Sequence, residues 1–106
     1  MNNNKDLVRG LMLFEKDFQL DKSYLNLEKN QHITYEEAFL RIMRVVEDLL
    51  AKDFKHLINV LYRIDVSEEK LKEALAESTD NPASIITKMI IERELQKVAT
   101  RKKYSS

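Results

Sequence analysis

Apolar residues return along this chain at helical spacing in five stretches, and polar residues with capping chemistry separate them. Leu7, Leu11, Phe14 and Phe18 recur at i, i+4, i+7 and i+11 and predict a first helix, in which Gly10 costs about 1 kcal/mol relative to alanine. From Gln19 to Gln31 the period is lost: Leu20, Tyr24, Leu25 and Leu27 are scattered among polar residues, which describes a connection that still lays some side chains on the core. Thr34 with Glu37 three residues on has the form of a capping box and opens a strong helix. Its inward stripe reads Ala38, Phe39, Ile42, Met43, Val46, Leu49 and Leu50, with Glu36, Arg41, Arg44, Glu47 and Asp48 outward. At Lys52-Asp53 the phase slips to a new stripe of Phe54, Leu57, Ile58, Leu61 and Ile64. Either the helix bends there or Asp53 caps a second one.

Asp65-Val66-Ser67 is the next interruption, and Ser67 caps a short helix with Glu68 and Glu69 in its first turn and Leu71, Ala74 and Leu75 on its apolar edge. Asn81 and Pro82 then open the last helix, which runs toward Lys102. That helix carries two apolar stripes. Ile85, Ile86, Met89 and Ile90 cluster on one side of the helical wheel, and Ile91, Leu95 and Val98 on nearly the opposite side. A helix lying on one core needs one such face, so the second stripe calls for another part of the fold, a second copy of the chain or a foreign ligand. Two arrangements satisfy it: a homodimer burying Ile91, Leu95 and Val98 at a twofold contact, or cover by the N-terminal helix through Leu7, Leu11, Phe14 and Phe18.

The resulting expectation is an all-α protein, an irregular four- or five-helix bundle in a single domain spanning residues 1–106, with residues 5–33 as an N-terminal extension packing on it and 1–4 and 104–106 flexible. One Gly and one Pro in 106 residues agree with helices and leave too few turn residues for a sheet protein. Eighteen basic and eighteen acidic residues cancel, so no global field draws the chain to nucleic acid or an anionic membrane. The charges are unevenly spread, however. Acids outnumber bases from Asp65 to Asp80 and bases outnumber acids from Asn81 to Ser106, and the two segments are expected to satisfy each other within or between subunits. Cysteine is absent, which removes disulfides, thiolate metal sites and a cysteine nucleophile. No stretch approaches the length of a membrane span or has the form of a signal peptide, and the reading is a cytoplasmic protein.

Candidate chemistry is sparse. His32 and His56 lack a converging ligand set, and His32 with Glu36 straddles a helix cap, so no metal and no cofactor is expected. The carboxylate pairs Glu36/Glu37, Glu47/Asp48 and Glu68/Glu69 occupy adjacent helical positions about 100° apart and do not share a proton. With Gly10 alone there is no phosphate-binding loop and no serine elbow, which disfavours an enzyme. Phe14, Phe18, Phe39, Phe54 and Tyr62 are read as core residues. The basic end at Arg101, Lys102 and Lys103 is a candidate anion site, and it supports an alternative reading in which the last two helices form a nucleic-acid-binding helix-turn-helix. Against that alternative, the would-be reading helix starts Ala83, Ser84, Ile85 and Ile86, without Arg, Asn or Gln to meet base edges.

The run from Leu57-Ile58-Asn59-Val60-Leu61-Tyr62-Arg63-Ile64-Asp65 to Glu68, followed by Ile90-Ile91-Glu92-Arg93-Glu94-Leu95-Gln96-Lys97 and Arg101-Lys102-Lys103-Tyr104, resembles a group of small bacterial helical proteins of unassigned function. The resemblance covers Thr34 to Tyr104, and the N-terminal third departs from that group's usual start. It implies a compact helical domain and carries no catalytic or binding residue. Tyr62, Arg63, Asp65, Glu92, Arg93 and Gln96 are its polar positions, and an arginine with Asp or Glu there suits a structural network. The functional expectation is a non-catalytic interaction or regulatory module that self-associates through Ile91, Leu95 and Val98.

Overall fold

The computed structural model describes residues 4–19 and 33–104. Five helices organise them: α1 (Asn4–Asp17), α2 (Tyr35–Lys52), α3 (Phe54–Arg63), α4 (Glu68–Glu77) and α5 (Pro82–Tyr104). The all-α architecture read from the sequence is the one adopted. Most of the connection between Gln19 and Gln31, together with His32, lies outside the described residues, as do the two chain ends.

The boundaries follow the capping chemistry. Thr34 Oγ1 accepts from the Glu37 backbone N–H at 3.1 Å to open α2, and Ser67 Oγ accepts from the Lys70 N–H at 3.2 Å to open α4. Asn81 Oδ1 accepts from the Ala83 N–H at 2.8 Å, with Pro82 in the first turn of α5, where a missing N–H costs nothing. The slip at Lys52-Asp53 is a break between two helices. The Asp53 N–H donates to Leu49 O at the end of α2 while its Oδ1 accepts from the His56 N–H at 3.2 Å, so one residue closes α2 and opens α3. At the other end of α3, Asp65 takes a left-handed backbone with φ 66°, its N–H donates to Tyr62 O, and the Val66 N–H donates to Leu61 O. This is a Schellman closure with an aspartate where glycine is usual.

One buried cluster draws on all five helices. Leu7, Leu11, Phe14 and Phe18 enter from α1 and its cap, Ile42 and Val46 from α2, Leu57, Val60 and Ile64 from α3 and its cap, Leu71 from α4, and Ile86, Ile90 and Ile91 from α5. The sequence stripe of α2 is buried or half-buried as expected, with Val45 added. That of α3 needs correction. Leu57, Val60, Leu61 and Ile64 face inward, whereas Phe54 and Ile58 are 49% and 44% exposed and Tyr62 is 87% exposed, so neither aromatic belongs to the core.

α5 is about 34 Å long at the α-helical rise, and it packs against α1, α2 and α4. Its two apolar stripes prove to be the edges of one buried face. Ala83, Thr87 and Glu94 fall between them on the wheel, flanked by the inner edges Ile90 and Val98, and all five are buried. The polar pair Thr87 and Glu94 on that centre line splits the hydrophobic pattern into two. Thr87 satisfies its hydroxyl locally, donating to Ala83 O at 2.7 Å.

The demand for a partner at Ile91, Leu95 and Val98 is therefore met within the chain. Ile91 and Val98 are each 4% exposed and Leu95 is half-buried. α1 lies across them: Ile91 and Leu95 share a small void with Leu7, Gly10 and Leu11, and Val98 lies beside Leu13. Of the two arrangements open from sequence, cover by the N-terminal helix is the one present.

Gly10 sits at this close approach, yet a Cβ there would lie 3.5 Å from Leu95 Cδ2 and 3.9 Å from Glu94 Cβ, ordinary contact distances. Gly10→Ala is therefore expected to raise stability by about 0.5–1 kcal/mol through helix propensity, read as a higher urea midpoint. Leu11→Ala, by contrast, removes a side chain pinned beneath α5 and is expected to cost about 3 kcal/mol in the same measurement.

Candidate functional site

Three places on this scaffold hold polar or exposed groups that the core does not explain. The first lies in the seam between α1 and α5. Glu94, 1% exposed, is held there with Asp17 from the last turn of α1 and Lys97 one turn further along α5. Lys97 Nζ lies 3.0 Å from Asp17 Oδ2 and 3.4 Å from Glu94 Oε1. Burial first, and the Asp17 carboxylate second, push the Glu94 carboxyl up to about 8, while Lys97 pulls it back. A displaced acid is a common mark of a catalytic centre. Here, however, the space beside it is only about 10 Å³ and is walled by aliphatic side chains such as Leu7, Leu11, Ile42 and Ile91. That is scarcely one water molecule. Among the described residues, Glu94 faces only this void and its partners in the helix seam.

The second place is the corner after α3. Arg93 Nε donates to Ile64 O at 2.9 Å, its Nη2 lies 3.6 Å from Asp65 Oδ2, and its Nη1 donates to Gln96 Oε1 at 3.4 Å. Arg63 Nη1 meanwhile donates to Asp17 O at 3.5 Å, beside the negative end of α1. Four of the six polar positions singled out in the sequence thus serve structure at one corner. Tyr62 and Glu92 stand apart from it, Tyr62 pointing to solvent.

The third place is the surface, where two faces differ from the rest. On α3, Phe54, Ile58 and Tyr62 form an exposed line at i, i+4 and i+8 on a helix whose other side is wholly in the core. Between α1 and the end of α5 runs a groove of about 450 Å³ floored by Met12, Leu13 and Val98 and rimmed by Arg9, Lys16, Arg101 and Lys102. The structure thus gathers Val98, Arg101 and Lys102 from the sequence candidates, places Ile91 and Leu95 on the inner side of the seam, and leaves Lys103 exposed outside the groove lining. Arg9, Met12 and Lys16 carry no mark in the sequence, because only the crossing of α1 over α5 brings them there. Phe54, Ile58 and Tyr62 did carry one: a third apolar line on α3, beside the two that the core consumes.

Charge matching also differs from expectation. The bases of α5 turn to α1, through Lys97 with Asp17 and Lys102 Nζ with Asp6 Oδ1 at 3.1 Å, and among the described residues Arg93 with Asp65 is the one ion pair joining the acidic and basic segments. Among the same residues no group of three or more His, Asp or Glu converges as a metal site, and no helix is long and apolar enough to cross a membrane. No protein-family model, curated protein or solved structure matches this chain.

The Glu94 carboxyl makes the seam sensitive to pH. The native state keeps this proton where the unfolded chain, with an ordinary carboxyl near 4.5, has released it. Its contribution to stability is complete below that value and is lost as pH climbs toward about 8. Glu94→Gln keeps the shape without the ionisation. Thermal unfolding across this range is expected to show the parent falling by several degrees relative to the variant, and parallel curves would show that Glu94 does not titrate there.

Proposed function

We propose that this chain is a non-catalytic helical interaction module that pairs with a second copy through the outer face of α3. The observation that carries this reading is the exposed line of Phe54, Ile58 and Tyr62. Scattered surface leucines need no explanation, but three large side chains aligned on one helix face are the form that helix-to-helix docking takes. The line is self-complementary. Phe54 and Tyr62 each lie four residues from Ile58, so an antiparallel twofold pairing centred on Ile58 sets each Phe54 against the partner's Tyr62. Aromatic contacts of this kind commonly anchor an interface. The non-catalytic reading is supported by the enclosure of Glu94, whose carboxyl is strongly displaced, behind aliphatic walls. A cysteine-free chain suits the cytoplasm, where the module is placed in this reading.

Sedimentation velocity at micromolar concentration tests the pairing. The parent should sediment as a dimer and Ile58→Glu as a monomer with unchanged helical circular dichroism. A monomeric parent, or a dimer that survives both Ile58→Glu and Tyr62→Lys, defeats the proposal.

A further inference from the structure

We propose that the groove between α1 and the last turns of α5 is a second docking site, separate from the α3 face, and that it takes an acidic amphipathic helix of another protein. The argument begins with charge. Acids and bases balance over the chain as a whole, yet Arg9, Lys16, Arg101 and Lys102 surround this groove and, among the described residues, no carboxylate lines it. Lys102 is held by Asp6. Arg9, Lys16 and Arg101 have no hydrogen bond or ion pair among the described residues, so three cations stand at the rim with their charge unmatched. Like charges gathered at one edge repel each other, and a ligand bearing several carboxylates relieves that repulsion on binding.

The floor decides which anion fits. Leu13 and Val98 are buried, while Met12 above them is 55% exposed, leaving an apolar strip inside a cationic frame. Methionine is flexible and polarisable, which suits it to receive apolar side chains of varied shape. A nucleic-acid backbone supplies the negative charge but nothing apolar to cover Met12, and among the described residues the lining has no Asn or Gln to read a base edge. A lipid bilayer engages several protruding apolar residues, whereas here Met12 alone is exposed and Leu13 and Val98 lie buried beneath it in the furrow between two helices. A helix with leucines along one stripe and glutamates beside it matches both features, with the leucines on the Met12–Val98 floor and the glutamates toward Arg9, Lys16 and Arg101. The volume, about 450 Å³, holds several such side chains.

The test uses the full chain and a fluorescein-labelled synthetic helix with leucine on one face and glutamate on the other, followed by anisotropy. The peptide should bind, binding should weaken as salt rises, and Lys16→Glu with Arg101→Glu should weaken it about tenfold or more, or about 1.4 kcal/mol. Met12→Asp should do the same without altering the rim. All three positions are exposed or at the rim, and circular dichroism confirms that the variants fold. The proposal is overturned if the peptide does not bind, if the variants bind it equally, or if a scrambled peptide of identical composition binds as well. It is likewise overturned if duplex DNA or phosphatidylserine vesicles bind more tightly and lose that binding in the same variants. The Ile58→Glu monomer should bind the peptide like the parent, so failure at the groove and failure at α3 are read separately.

Discussion

The crossing of α1 over the C-terminal half of α5 is the contact on which the other features depend. It buries Ile91 and Val98, encloses Glu94, and sets two acids of α1 against two lysines of α5. Most of its stabilisation comes from apolar area, since each large side chain removed from water is worth about 1.5–3 kcal/mol and the ion pairs, part-buried at Lys97 with Asp17 and more open at Lys102 with Asp6, are worth less. The charged residues do a different job. Lys97 with Asp17, Lys102 with Asp6, and Arg63 at the Asp17 carbonyl fix where α1 comes to rest along a helix whose greasy edge would accept several positions. Apolar contact provides the attraction, and polar contact the register.

Much of this was legible in the sequence, and the exceptions have physical causes. Caps at Thr34, Ser67 and Asn81 announced their helices because side-chain oxygens at those positions meet orphan N–H groups whatever the tertiary context. The Lys52-Asp53 slip was visible but its nature was not, since aspartate is compatible with a helix interior and only the non-helical Asp53 backbone, φ −152° and ψ 67°, reveals a cap. The last helix misled because periodicity weighs each residue by its own polarity. Glu94 and Thr87 lie on the centre line of the buried face, so the wheel displayed two stripes where the fold has one wide contact. Nothing in one helix's own sequence tells that a glutamate will be buried by another helix arriving eighty residues earlier in the chain.

The surface candidates divide along the same lines. Phe54, Ile58 and Tyr62 exceed what a helix packed on α2 can bury, and counting apolar lines on α3 separates the excess from the core. The cationic groove belongs to the tertiary structure alone, for its rim is contributed by residues nearly ninety positions apart and neither segment is unusual by itself. A site assembled from two ordinary helices at their crossing is invisible to any reading that takes elements one at a time.

Asp53 gives the α2–α3 corner a property that a looped connection would lack. Because the same residue terminates one helix and initiates the next, no spare chain exists between them, and the direction of α3 is set by the conformation of a single amino acid. Whatever meets Phe54, Ile58 and Tyr62 therefore finds their backbone positions already aligned, and only the rotamer freedom of the exposed side chains remains to be lost at association.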